Sequence, residues 1–297
     1  MRRQEAADKR LGSEVSGAAD RMIGRETAAA HAMYDREALE AAADTAWAGK
    51  YICYFNELDS TNLRAKLEAD NGAPEGTLVV ADMQTAGRGR RGRSWSSPGG
   101  TNVYFTLILR PSFGPDKAPM VTLVMALAVA EGIYETCGLA AEIKWPNDVI
   151  VHGKKVCGIL TEMSADRGVI RHVVIGVGVN VGQQEFPPEI AAVAASLQEE
   201  CGEEVSRTLL TAHIMKAFEK YYESFRQNEN LSGVQEKYNS LLVNRDREVR
   251  VLDPKGEFRG IARGITPRGE LLVEREDGSI QEIYAGEVSV RGVYGYV

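Results

Sequence analysis

The chain has 297 residues, 44% hydrophobic and 26% charged, a globular balance with room for one large domain and one small one. Its formal net charge of −7 argues against a surface that coats nucleic acid, so any basic site is local. Cys53, Cys137, Cys157 and Cys201 form no CxxC pair, and His31, His152, His172 and His213 lack metal-ligand spacing. A disulfide framework and a zinc site are therefore not expected.

Residues 1–46 are rich in Ala, Glu and Arg and poor in large apolar side chains, so they read as an extension, weakly helical or disordered, with 35–43 its best helix. The N-terminus is charged and has no apolar signal core. The most apolar stretch, 120–130, is shorter than the ~20 residues a membrane-spanning helix needs, so no membrane partner and a cytoplasmic location are expected. Strand signals begin at 51–55. Asp59-Ser60-Thr61-Asn62 then precedes a short helix, with Asp59 or Ser60 as its N-cap and Leu63 and Leu67 on one face. Asn71-Gly72-Ala73-Pro74 ends it. Residues 77–83 and 103–109 read as buried strands on either side of a Gly/Arg loop, and 119–137 as a core helix. Residues 149–152, 155–163 and 169–180 alternate with turn signals as an antiparallel meander. Ser206 caps a long helix that places Leu210, Phe218, Tyr221 and Phe225 on one face. The pattern changes at Asn244-Arg245-Asp246, after which about five short strands suggest a small barrel. The expected domains are 47–245 and 246–297.

Four constellations carry chemistry. In QTAGRGRRGRSW (84–95), Arg88, Arg90, Arg91 and Arg93 are spaced by Gly87, Gly89 and Gly92. Glycine lets the backbone approach a ligand, and the arginine fork fits phosphate or carboxylate. A solvated charge run is the alternative, but a buried strand before the loop and Trp95 after it favour a built site. In Lys144-Trp145-Pro146-Asn147-Asp148, Lys144 suits a phosphate, Asn147 a polar ligand edge, and Asp148 a metal or a cation; a strand end with Trp145 in the core is the alternative. Lys155 opens an apolar strand, where a lysine needs a partner, whereas Lys154 reads as an exposed hairpin residue. Gly176 and Gly178 alternate in a strand that ends at Asn180, which suggests close approach by a ligand or another backbone. The pattern lacks the rest of a dinucleotide fingerprint.

Together, DSTN (59–62), the 84–95 loop, KWPND (144–148), KKVCGIL (154–160) and GVGVNV (176–181) resemble the biotin–protein ligase family, also called biotin–[acetyl-CoA-carboxylase] ligase, over residues 47–297. The resemblance implies an α+β fold. Its parts would be a catalytic domain like the class II aminoacyl-tRNA synthetases, with a mixed sheet flanked by helices, and a C-terminal SH3-like barrel. It implies that biotin and MgATP give biotinyl-5′-AMP, from which biotin passes to a lysine of a biotin carboxyl carrier protein. Ser60, Thr61, Asn62, Gln84, Arg88 and Gly89 would bind biotin, together with Arg90, Lys155 and Gly158. Arg90, Arg91, Arg93 and Trp95 would meet ATP or the adenylate, together with Lys144, Asn147, Asn180 and Arg291. Lys155, Arg90 and Arg93 would be catalytic. No metal ligand is assigned beyond Asp148 as a candidate, and magnesium would be held mainly by phosphate oxygens. A homodimer is a state the family often adopts. Only about 46 residues precede the catalytic domain, without a convincing helix-turn-helix pattern, so no DNA binding is expected. The rival readings are a lipoate–protein ligase and a nucleic-acid-binding module built on the arginine loop.

Overall fold

The computed structural model of the chain describes residues 36–42, 44–252, 256–285 and 289–292. Helix α1 (Arg36–Ala42) falls where the extension's best helix is expected; the expectation for residues 1–35 lies outside the described residues. Just after α1, the Glu219 carboxylate accepts the backbone N–H groups of Ala46, Trp47 and Ala48.

Seven strands follow: β1 (Tyr51–Leu58), β2 (Thr77–Gln84), β3 (Val103–Leu109), β4 (Glu142–Lys144), β5 (Asp148–Val151), β6 (Lys154–Asp166) and β7 (Val169–Val179). They form one mixed sheet in the order β1-β2-β3-β7-β6-β5-β4. β1 and β2 run parallel and the other neighbours antiparallel. β3 is buried along its whole length, which is why VYFTLIL is continuously apolar instead of alternating. The expected meander is present. Its two hairpins turn at His152-Gly153 (φ 48° and 80°) and Arg167-Gly168 (φ 49° and 83°). Positive φ at both central residues is the turn geometry whose twist matches that of paired strands.

Helix α2 (Thr61–Asp70) corrects the expected helix face. Leu63 and Leu67 are 39% and 53% exposed, while Asn62, Ala65 and Ala69 are buried. The helix lies too close to the sheet for leucines: Ala65 and Ala69 pack against Val79, Ile108 and Val174. A second correction concerns Ser60. It occupies the N-cap position but makes no side-chain cap bond, and Asp59 Oδ1 accepts the Ser60 N–H instead.

Helix α3 (Ala118–Cys137) is the expected core helix. Its Thr122 hydroxyl bonds that of Thr161 on β6 at 2.8 Å. Thr161 alternates with Leu160 and Glu162, whose carbonyl and carboxylate bond Asn62 of α2. Side chains alternate across a strand, so α2 and α3 lie on opposite faces of the sheet. α3 and the turn before it are long and apolar enough to cross a membrane by composition, but 67% of the most apolar window is buried inside the protein. After the short α4 (Leu197–Cys201), α5 (Arg207–Asn228) packs along α3. Ser206 Oγ accepts the Leu209 N–H as its N-cap, and Leu210, Phe218, Tyr221 and Phe225 are buried, as the sequence predicts.

Beyond α6 (Gln235–Leu241) come β8 (Glu248–Leu252), β9 (Phe258–Ile265), β10 (Leu271–Glu274), β11 (Ile280–Ile283) and β12 (Ser289–Gly292). They make a five-stranded antiparallel sheet in the order β11-β10-β9-β8-β12. Trp145 joins the two sheets. It is 1% exposed, and its indole N–H donates to the Gly269 carbonyl at 3.0 Å. Trp145 is in the core, as its strand-end reading expects, while Asn147 of the same stretch lines the cleft.

Candidate active site

A cleft opens where the start of α2, the Gly/Arg loop and the glycine-bearing parts of β6 and β7 converge.

One end is polar and densely hydrogen-bonded. Ser60 and Thr61 are buried there. The Thr61 N–H and hydroxyl both donate to Gln84 Oε1, at 2.9 and 3.1 Å, and Gln84 Nε2 donates to Ser97 Oγ at 2.9 Å. These bonds fix the orientation of the glutamine. Asn62 is held more completely. Its Oδ1 accepts from Thr106 Oγ1, and its Nδ2 donates to the Leu160 carbonyl and to Glu162 Oε2. Both amide hydrogens of Asn62 are thus bound to protein, and the side chain lines the cleft as a fixed wall.

The glycines explain the floor. The sequence suggests that a ligand or a backbone approaches them; in the structure, side chains do. A Cβ on Gly176 would lie 1.9 Å from Asn62 Oδ1, and one on Gly178 would lie 2.5 Å from Trp95 Nε1. A Cβ on Gly158, which pairs with Gly178 across the strands, would lie 2.8 Å from the same indole. Trp95 Nε1 is buried against Gly178 without a hydrogen-bond partner among the described residues.

The other end is cationic. Lys155 Nζ pairs with Asp148 Oδ1 at 2.6 Å and lies 5.2 Å from the centre of the Trp95 ring. Arg90 Nη1 donates to Asn147 Oδ1 at 2.8 Å, and Nη2 donates to the Ala285 carbonyl in the turn after β11. Burial pulls the Arg90 pKa down while the Asp148 charge opposes this; a guanidinium keeps its proton regardless. The loop turns back at Arg91-Gly92, both at positive φ (60° and 73°), and the Gly89 N–H bonds the Arg93 carbonyl at 2.7 Å. Glycine at 92 accepts this backbone without strain.

The cleft therefore gathers Ser60, Thr61, Asn62, Gln84, Arg88 and Gly89 with Arg90, Trp95, Asn147, Lys155 and Gly158. Other predicted residues stand apart. Arg91 and Arg93 are exposed outside the lining. Lys144 is 5% exposed and Asn180 is buried with its Nδ2 on the Ala195 carbonyl. Arg291 pairs with Arg250 across β12 and β8, and its side chain lies outside the described residues. Sequence reasoning missed Ile159, Leu160 and Val177 in the wall; the apolar run after Lys155 carries that signal. Among the described residues no cleft-lining side chain is a carboxylate, and no cluster of three or more His, Cys, Asp or Glu could hold a metal. With Asp148 engaged by Lys155, magnesium would enter on the nucleotide's phosphates as part of the substrate.

The helix-flanked mixed sheet thus carries a cleft with one polar and one cationic end, and a small antiparallel β-sheet follows it in the chain. Residues 54–180 match the Biotin/lipoate A/B protein ligase family, and residues 246–291 match the Biotin protein ligase C terminal domain. Over 244 residues the chain is 42% identical to the Bifunctional ligase/repressor BirA of Bacillus subtilis (strain 168), covering 82% of this chain and 74% of that one. It is 35% identical over 248 residues to the Biotin--[acetyl-CoA-carboxylase] ligase of Paracoccus denitrificans, covering 79% and 98%. A solved structure of biotin protein ligase from Aquifex aeolicus in complex with biotin and ATP is similar with a TM-score of 0.72 at 33% identity, covering 82% of this chain and 99% of that one. The chain belongs to the biotin–protein ligase family, and its enzyme class is that of a biotin–[acetyl-CoA-carboxylase] ligase.

Proposed function

We propose that this chain joins biotin to a lysine of a biotin carboxyl carrier protein in two steps, using MgATP. The observation that carries the reading is the polarity of one cleft, with Thr61 and Gln84 at one end and Lys155 and Arg90 at the other. A ligand with a polar ring system and a carboxylate tail fits that order, with its apolar chain along Trp95 and Leu160. In the first step a carboxylate oxygen of biotin attacks the α-phosphorus of ATP, the bond to pyrophosphate breaks, and biotinyl-5′-AMP forms. In the second the carrier's lysine amine attacks the acyl carbon and AMP leaves. Negative charge builds near one phosphorus in both steps, and fixed cations stabilise it. Lys155 would stand at the carboxylate and α-phosphate, exchanging its bond to Asp148 for the substrate. Arg90, Arg93 and Asn147 would serve the phosphates, and Arg291 the nucleotide. No side-chain nucleophile is required.

The proposal includes the division at 245/246, a cytoplasmic location, a homodimer and no operator binding. A biotin-dependent gel shift by the purified chain would overturn the last of these. The lipoate alternative is tested by offering biotin or lipoate with ATP and detecting the adenylate. An adenylate formed from lipoate and not biotin would favour the rival.

A further inference from the structure

We infer that Glu162 is a positioning residue for the polar end of the cleft, acting through Arg88 and Asn62; the inference rests on the biotin-ligase reading above. Glu162 lies on β6, seven residues beyond Lys155, and does not line the cleft. Its carboxylate instead collects donors from two other elements. Lys66 Nζ of α2 is 2.6 Å away and Asn62 Nδ2 of the same helix 2.8 Å. Arg88 Nη1 of the Gly/Arg loop is 3.8 Å away. Both Asn62 and Arg88 do line the cleft. The side chain of Glu162 is 22% exposed, so water screens these charges only in part.

The charge pattern gives the carboxylate a specific task. Lys66 and Arg88 converge on it as two cations from separate elements. Without its charge they would face each other uncompensated, and Arg88, at 45% side-chain exposure, would turn to solvent. The loop would then lose its ionic tie to β6 at the end where the ligand's ring system is read. Nothing at the cationic end depends on Glu162, because Lys155 and Arg90 have their own partners, Asp148 and Asn147. Loss of the charge should therefore weaken binding of the carboxylic-acid substrate and leave adenylation by the bound substrate intact.

The test is steady-state pyrophosphate release by the full chain with biotin, ATP and an excess of a biotin carboxyl carrier domain, for the parent, Glu162→Gln, Glu162→Asp, Arg88→Ala and the double variant Glu162→Gln/Arg88→Ala. Gln keeps an acceptor for Asn62 and removes the charge. KM for biotin is expected to rise about fivefold, with kcat and KM for ATP within about twofold of the parent, a coupling typical of residues in one network. Glu162→Asp keeps the charge at shorter reach and should fall between parent and Gln; it also serves if Gln lowers the folded yield. In the Arg88→Ala background, Glu162→Gln should add less than about twofold. An unchanged KM for biotin, a fall in kcat instead, or additive effects in the double variant would overturn the inference. If the parent releases no pyrophosphate with biotin, the functional reading fails first, and this inference with it.

Discussion

Gly176 lacks a side chain because Asn62 already occupies the space, and Asn62 cannot move without breaking bonds to Thr106, Leu160 and Glu162. Gly176→Ala should therefore cost about 1–3 kcal/mol of stability by overpacking, read as a lower midpoint in denaturant; an unchanged midpoint would contradict this packing. Glu162 adds a pH dependence. Burial pushes its pKa up, but hydrogen bonds from Lys66 and Asn62 and the charges of Lys66 and Arg88 outweigh this and hold it below the ordinary value. The folded state thus binds that proton less readily than the unfolded chain. The stabilisation is full above the unfolded carboxyl's pKa and drains as pH falls through the folded one. The parent should lose stability more steeply below about pH 5 than Glu162→Gln does, and parallel curves would contradict it. Cleft positions were legible where a charge broke a pattern, as at Lys155, Arg88 and Arg90. Glu162 was not, because nothing in SAD or TEM spacing marks a carboxylate whose partners lie about 75 to 100 positions earlier in the chain.

Among the elements, strands and hairpins were the most readable. Their turn glycines and apolar runs act locally, as at His152-Gly153. Helix α2 was misread for a non-local reason: two leucines four apart looked like a buried face, but the close sheet admits only Ala65 and Ala69. The partner of Trp145 is equally remote in sequence, since the Gly269 carbonyl lies in the turn between β9 and β10. Trp145→Phe would keep one aromatic ring but leave a small cavity and that buried carbonyl unpaired, the lost bond alone costing about 1–3 kcal/mol. Thermal unfolding would register the loss, and an unchanged midpoint would mean that the bond between the sheets contributes nothing.

At the scale of the molecule, Arg90 ties the cleft to the turn after β11 through Asn147 and the Ala285 carbonyl. A loop held at both sides can shield a reactive intermediate from water. Arg90→Ala is expected to release biotinyl-AMP into solution faster than the parent, followed by quenching and separation of the free adenylate; equal leakage would remove Arg90 from that role. The central claim is that Lys155 and its surrounding cleft activate biotin with ATP. It is tested most directly by pyrophosphate release from ATP, with and without biotin, in the parent and in Lys155→Ala. The account predicts biotin-dependent release by the parent and its loss in the variant, with the unfolding midpoint preserved. Release at the parental rate by Lys155→Ala, or release by the parent that ignores biotin, would contradict it.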